Sequence, residues 1–226
     1  MEMETEEKNK INLKGKILEE PVFSHESFGE KFYETEIAVE RLSGEIDNIK
    51  IIISKIDLET NNINKNDYVD VMGQIRSYNH YFKKDDTTKR KLVINVFVRE
   101  IKKITKEDTE NGVNTNKVNL IGYVCKEPIY RKTPFGREIS DILIAVNRQY
   151  NKSDYLPTIC WGRTARFAKN LKVGELIELE GRLQSRKYTK VYDDGTEEEK
   201  IAYEISVIYL KACSEDELEE DKIVEE

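Results

Sequence analysis

The stretch NKVNLIGYVCKEPIYRKTPFGREISDILIAVNR at residues 116–148 decides the fold, because the chain contains it twice. Residues 9–41 read NKINLKGKILEEPVFSHESFGEKFYETEIAVER and align with it without a gap at an offset of 107. Two later pairs of segments continue the alignment as the offset grows to 108 and then 109: residues 67–77 with 175–185, and residues 91–102 with 200–211. Self-similarity at a fixed spacing indicates that one domain has been duplicated.

The repeat predicts five parts in the chain. The two copies of the domain occupy residues 9–104 and 116–213. The polar stretch TKEDTENGVNT between them, residues 105–115, is interpreted as an interdomain linker. An acidic segment at residues 1–8 precedes the first repeat, and an acidic tail, SEDELEEDKIVEE at residues 214–226, follows the second.

Charge is distributed unevenly among these parts. The whole chain has a net charge of −7, but the N-terminal segment carries −3 and the acidic tail −7. The linker carries −2, the first repeat +1 and the second repeat +4. A basic domain next to acidic ends is compatible with a phosphate-binding face, and the balance points to the second repeat.

Several classes of protein are not indicated by the sequence. No run of 18 apolar residues is present, so a membrane span is not expected, and the N-terminus lacks the apolar core of a signal peptide. Three cysteines without C-x-x-C spacing predict packed, reduced thiols. Two histidines and the absence of phosphate-loop or dinucleotide motifs indicate no metal site, no cofactor and no enzymatic activity.

The pattern within each repeat is mostly that of β-strands. In residues 176–188, apolar and polar side chains alternate, which is typical of a strand with one buried face. Only residues 163–172 have helical periodicity, and the matching residues 55–64 of the first repeat are expected to be irregular. Three strands, a short helix and two strands predict an all-β fold with short helices, built as two tandem five-stranded OB-fold barrels.

Two aromatic residues of the second repeat raise the question of a ligand. Tyr188 falls on the polar face of its strand, close to Arg186 and Lys187. Exposed rings among cations are what single-stranded nucleic acid requires, because bases stack on the rings while the cations neutralise phosphates. Trp161 is the only tryptophan, and both faces of its strand are apolar. Periodicity therefore leaves open whether its ring is in the core or exposed.

Residues 116–212 resemble the bacterial single-stranded-DNA-binding proteins. The resemblance is carried by NKVNLIGYVCKEPIYRKTPFG, ILIAVNR, TICWGRTARFAKNLKVGELIELEGRLQSRKYT and AYEISVIYLKA. It implies four rings that stack on DNA, and it favours an exposed Trp161. The implied stacking residues are Tyr150, Tyr155, Trp161 and Tyr188. The expected phosphate contacts are Arg131, Arg137, Arg148, Arg163, Arg166, Arg186 and Lys187.

The first repeat departs from the family at all four ring positions, which are Ser43, Asn48, Ser54 and His80. Three aromatic residues nearby could substitute: Tyr78, which is predicted to point outward, Tyr81 and Phe82. The first repeat is therefore interpreted chiefly as a scaffold and oligomerisation domain that could also extend the DNA path.

The expected function is binding of single-stranded DNA with little sequence specificity, protecting it during replication, recombination or repair. The resemblance implies a cytoplasmic, nucleoid-associated homodimer that presents four OB domains. It also implies that the acidic tail recruits replication and repair proteins, but this tail ends in IVEE and lacks the family's Pro-Phe tip. The alternative is a solvated acidic end that discourages self-binding to the basic face. Two alternatives remain open: a replication or primosome accessory protein that acts through protein contacts, and an RNA-binding OB protein.

Overall fold

The first repeat folds into a closed barrel. The computed structural model describes residues 8–84, 87–112, 114–149, 152–191 and 195–214. The strands of the first repeat are β1 (Asn9–Ile17), β2 (Val22–Ser27), β3 (Glu30–Glu40), β4 (Ile46–Ser54), β5 (Tyr68–Lys84) and β6 (Thr87–Ile104), with helix α1 (Lys55–Asn61) between β4 and β5. β1 pairs with β3, β3 with β4, β4 in parallel with β6, β6 with β5, and β5 with β1. This closed order of five strands is that of an OB fold.

The second repeat folds in the same way. Its elements are β7 (Asn116–Val124), β8 (Ile129–Lys132), β9 (Glu138–Arg148), β10 (Lys152–Trp161), α2 (Gly162–Ala168), β11 (Leu176–Val191) and β12 (Glu197–Cys213). β7 pairs with β9, β9 with β10, β10 in parallel with β12, β12 with β11, and β11 with β7. The prediction of two tandem OB-fold barrels is confirmed.

Each barrel has one short strand more than the sequence predicted. β2 and β8 pair antiparallel with the strands that follow them, β3 and β9. In the first barrel the turn between β2 and β3 contains Phe28 and Gly29, both with positive φ. Two consecutive residues with positive φ are typical of a tight hairpin turn, and this local turn makes the additional strand.

Helix α1 corrects the expectation that residues 55–64 are irregular. The hydroxyl of Ser54 accepts a hydrogen bond from the backbone N–H of Asp57, and Asp57 places a negative charge in the first turn. Asn62 ends the helix in the left-handed conformation. These capping contacts make a regular helix where the apolar pattern is weak. Helix α2 is shorter than its predicted span and ends at Ala168.

Glycines that recur in both repeats lie where strands approach each other closely. A Cβ atom on Gly15 would lie 2.1 Å from the backbone oxygen of Ala38. One on Gly122, 107 residues later, would lie 2.7 Å from the backbone oxygen of Ala145. Both distances are too short for any side chain, so the closure of each barrel requires glycine at the same place.

The described residues divide into two compact units. One contains residues 11–117 together with residues 183–204, and the other is built around residues 118–182. The outer parts of β11 and β12 are thus in the same unit as the first barrel. In the predicted linker, residues Glu107–Gly112 form a 3₁₀ helix. The domain boundaries drawn from the sequence remain predictions.

The cysteines are free thiols. Cys160 is buried, and burial, helped by the negative charge of Asp141, raises the pKa of its thiol to about 12. No group of three or more histidine, cysteine or carboxylate side chains suited to a metal ion is present in the described part of the chain. Among the same residues, no helix combines the length and the apolar character needed to cross a membrane.

Candidate nucleic-acid interface

Trp161 lies at the edge of the second barrel, where β10 ends and α2 begins. The solvent-exposed fraction of Trp161 is 40%. The opposite face of β10 is the core side, since Leu156, Thr158 and Cys160 are buried there. The side chain therefore stands on the outer face with a substantial part of its surface in solvent.

Comparison with the first barrel shows what Trp161 replaces. Its equivalent at the offset of 107 is Ser54, whose Oγ caps α1 by accepting a hydrogen bond from Asp57 N at 3.0 Å. Trp161 occupies the same capping position of α2 and makes no side-chain capping bond. Loss of a serine cap costs about 1 kcal/mol. Helix stability thus does not explain the tryptophan, and a large exposed ring there is consistent with a binding role.

The first turn of α2 also carries a cation where an anion would favour the helix. α1 has Asp57 in its first turn, whereas α2 has Arg163 and no acidic residue. A positive charge at this end opposes the helix dipole. The second barrel thus has a ring where the first has a capping serine, and a cation, Arg163, follows two residues after it.

Tyr155 lies on the same strand and the same face as Trp161. It pairs with Ala145 of β9 and is 48% exposed, while its neighbours Asp154 and Leu156 are buried. Six residues along a strand place the two rings about 20 Å apart. Of the predicted stacking residues, the structure therefore places these two on the outer face of β10.

Tyr188 lies on the outer part of β11, and Tyr150 lies outside the described residues. Tyr188 is 37% exposed. The guanidinium of Arg186 lies over its ring, 5.6 Å from the centroid, which is a cation–π contact. Arg186 Nε also lies 3.8 Å from Glu204 Oε1. A ring and a cation are thus presented together on this strand.

The seven predicted phosphate contacts fall into two groups. Four face carboxylates: Arg131 with Asp141, Arg148 with Asp154, Arg166 with Glu138, and Arg186 with Glu204. For Arg137, Arg163 and Lys187, no ion pair is found among the described residues, and all three are exposed. Because Asp154 is fully buried, Arg148 neutralises an interior charge. It is expected to contribute less to DNA binding than the unpaired cations.

Arg166 is tied into a small polar cluster around Glu138. The hydroxyl of Tyr130 donates a hydrogen bond to Glu138 Oε1 at 2.6 Å, and Arg166 binds the other carboxylate oxygen. The hydrogen bond from Tyr130 has the largest effect and lowers the pKa of Glu138, and the one from Arg166 lowers it further. Lys169 lies over the Tyr130 ring, 5.2 Å from its centroid. Glu138 is therefore ionised at neutral pH and orients Arg166.

The unpaired cations lead to a prediction on salt dependence. Arg163→Gln and Lys187→Gln should each make the slope of log affinity for single-stranded DNA against log salt shallower by about 0.7, since one phosphate contact is lost. The slope is obtained from titrations at several salt concentrations. Lys65→Gln is the matched control, because Lys65 is paired with Glu19 in the first barrel. An unchanged slope for Arg163→Gln, or an equal change for Lys65→Gln, would contradict the assignment.

Two further features concern exposed aromatic residues. Tyr78, Tyr81 and Phe82 on β5 of the first barrel are exposed, as the strand alternation predicted for Tyr78. Sequence reasoning missed Phe135, which is 93% exposed in the turn between β8 and β9. The segment TPFG, with Gly136 at positive φ, is the turn signal that could have placed it there.

Comparisons with known proteins match the second repeat to a family. The sequence model described as "Single-strand binding protein family" matches residues 115–210. Single-stranded DNA-binding protein A of Bacillus subtilis is 36% identical over 80 residues, covering 32% of this chain and 46% of that protein. The single-stranded DNA-binding protein of Caldanaerobacter subterraneus is 35% identical over 88 residues, covering 36% of this chain and 56% of that protein. The chain spans about half the length of the curated relatives it matches.

A solved structure extends the similarity to both barrels. The crystal structure of the wild-type single-stranded DNA binding protein from Thermus aquaticus superposes with a TM-score of 0.67. The superposition covers 91% of this chain and 93% of the Thermus aquaticus chain at 18% sequence identity. This coverage supports the tandem fold. The match to the single-strand binding protein family thus lies over the second repeat, residues 115–210, and the likeness to this solved structure shows the tandem fold.

Proposed function

We propose that this protein binds single-stranded DNA with little sequence specificity, chiefly through the second barrel, and protects it during replication, recombination or repair. The observation that carries the proposal is Trp161, an exposed ring at a position where the first barrel has a helix-capping serine. The names of the relatives and the family match over the second repeat support the same ligand.

The proposed mechanism combines stacking with charge neutralisation. Bases stack on Tyr155, Trp161 and Tyr188, and each stack contributes about 1–3 kcal/mol. Arg137, Arg163 and Lys187 neutralise phosphates and release counterions, so affinity falls with salt. Every base has a flat face and every nucleotide a phosphate, so neither contact selects a sequence. Paired bases cannot offer their faces, which favours single strands over duplex. No step requires a cofactor or a catalytic residue.

The first barrel is proposed to act mainly as a scaffold. None of the four family ring positions carries a phenylalanine, tyrosine or tryptophan in it, and its charge is close to neutral. Its exposed Tyr78, Tyr81 and Phe82 are the residues through which a long DNA strand could make a weaker, additional contact.

Two finer parts of the proposal concern assembly and partners. A homodimer would present four barrels, the number that the family resemblance implies, and light scattering of the purified protein measures this mass directly. The acidic tail, of which the structure describes only Ser214, is proposed to keep the basic face clear of self-association or to recruit replication and repair proteins. The proposed site of action is the cytoplasm, at the nucleoid.

A competition experiment tests the ligand class. Fluorescence anisotropy of a labelled oligo-dT strand bound to the full chain is measured while unlabelled single-stranded DNA, duplex DNA or RNA of the same length is added. Single-stranded DNA should displace the label at the lowest concentration. Displacement by RNA at lower concentration would favour the RNA-binding alternative. No binding of the labelled strand would favour a protein that acts through protein contacts.

A further inference from the structure

The outer ribbon, defined as residues 183–191 of β11 and residues 197–204 of β12, belongs to the same compact unit as the first barrel. It carries Arg186 and Tyr188, a cation and a ring of the proposed DNA interface. A two-stranded ribbon without further support is marginally stable in water. The contacts that hold this ribbon therefore decide how well its ring is presented.

β11 loses one of its two partner strands, β7, where the outer ribbon begins, and β12 remains its neighbour on the other side. Its pairing with β7 ends at Gly181, opposite Val118. Beyond that point a side chain replaces the partner strand: Asn116 Nδ2 donates to the carbonyl oxygen of Leu183 at 2.7 Å, and Asn116 Oδ1 accepts from Leu183 N at 3.0 Å. The free edge of the ribbon is thus closed by side-chain hydrogen bonds.

Two residues along, Ser185 is held by an ion pair of the first barrel. Ser185 N donates to Asp47 Oδ1 at 2.7 Å, and the Ser185 hydroxyl donates to the same oxygen at 3.0 Å. Arg41 Nη2 donates to the carbonyl oxygen of Ser185 at 3.0 Å. Both backbone polar groups of Ser185 are therefore bonded as they would be by a neighbouring strand.

The ion pair itself is well fixed. Arg41 binds Asp47 through two hydrogen bonds, from Nε to Oδ2 at 2.8 Å and from Nη2 to Oδ1 at 2.6 Å. Asp47 is fully buried, and its hydrogen bond raises the pKa of Arg41. Bidentate geometry of this kind restricts orientation as well as adding energy.

A second contact holds the other strand of the outer ribbon. The hydroxyl of Tyr203 donates to the carbonyl oxygen of Asn48 on β4 at 3.0 Å. Burial, together with nearby carboxylates, raises the pKa of Tyr203 to about 12, so this donor keeps its proton at neutral pH. Asn48 is the equivalent of Tyr155, one of the ring positions of the family. In the first barrel this position has no such ring, and its backbone carbonyl binds the outer ribbon.

We propose that Arg41 and Asp47 are positioning residues for DNA binding. By holding Ser185 they fix the outer ribbon, so that Arg186 and Tyr188 are presented in a binding-competent orientation before DNA arrives. A ring that is already ordered avoids the free-energy cost of ordering it on binding. The inference rests on the proposed binding of single-stranded DNA, and it gives the first barrel a role that does not require rings of its own.

The test uses the full chain with Asp47→Asn and with Arg41→Lys, which keeps the charge but loses the guanidinium fork. Hydrogen exchange of the amides of residues 183–190 should become faster in both variants. Affinity for oligo-dT should fall about 2- to 10-fold, the cost of ordering one or two side chains on binding. The control is Asp67→Asn, which makes the same charge change in the first barrel where Asp67 pairs with Lys103; it should leave both measurements unchanged.

A double-mutant cycle separates positioning from a general loss of structure. Adding Tyr188→Ala to Asp47→Asn or to Arg41→Lys should cost less affinity than Tyr188→Ala costs in the parent chain, because the ring is already poorly presented. Additive losses, unchanged exchange of residues 183–190, or faster exchange without any loss of affinity would each overturn the proposal. Failure of the parent chain to bind oligo-dT would instead reject the proposed function itself.

Discussion

Trp161→Ala is expected to lower the affinity for single-stranded DNA by about 1–3 kcal/mol, which is about 5- to 150-fold. The reason is the loss of one base stack at the exposed ring between β10 and α2. Trp161→Ser should lose as much affinity, since it also removes the ring. However, the serine can cap α2 as Ser54 caps α1, so Trp161→Ser should be more stable than Trp161→Ala by about 1 kcal/mol.

The two variants are compared by anisotropy titration with oligo-dT and by urea unfolding. Each variant controls for the other, because they differ in capping and share the loss of the ring. Equal affinities for the parent chain and both variants would show that Trp161 does not contact DNA. A more stable alanine variant would show that the capping comparison with Ser54 is wrong.

Simultaneous replacement of Tyr155, Trp161 and Tyr188 by alanine is expected to give the largest loss of binding. The stacks lie on separate parts of β10 and β11, so their contributions should add to at least about 3 kcal/mol, or roughly 150-fold. Binding is measured at low salt, where the remaining cations keep the residual affinity high enough to be measured by titration.

The matched variant replaces Tyr78, Tyr81 and Phe82 of the first barrel. It also removes three exposed aromatic residues, yet its affinity should fall by less than about 10-fold, which corresponds to 1.4 kcal/mol. If the first-barrel variant lost as much affinity as the second-barrel variant, the assignment of the main interface to the second repeat would be wrong. Circular dichroism of both variants checks that the barrels remain folded.

Much of the fold could be predicted because its determinants are local and occur twice. Strand alternation, the recurring glycines and the spacing of the repeat together indicate the closed five-stranded order. Helix α1 was missed because its stability comes from the capping contacts of Ser54 and Asp57 and not from an apolar face. The short strands β2 and β8 were missed because each depends on a turn inside a segment with little apolar alternation.

The candidate site was harder to predict, since exposure depends on what covers a strand. Tyr155, Ile159 and Trp161 have the same parity on β10, yet Ile159 is buried while both rings are exposed. Periodicity cannot distinguish these cases, and only the family resemblance favoured an exposed Trp161.

The contact between Asp47 and Ser185 joins residues 138 positions apart, so no local pattern reveals it. The available signal was the recurrence of Arg41 and Asp47 as Arg148 and Asp154 at the offset of 107. The aspartate of this repeated ion pair is buried in both barrels. The repeat therefore indicates a structural role for the arginine.

The most direct measurement is the fluorescence of Trp161 during titration with oligo-dT at low and high salt. Since the chain has a single tryptophan, the signal reports on one place in the second barrel. We expect strong, saturable quenching at low salt, with the titration midpoint moving to higher DNA concentration as salt is raised. An unchanged spectrum under conditions where anisotropy shows the DNA to be fully bound would contradict a stacked base at Trp161 and the proposed interface around it.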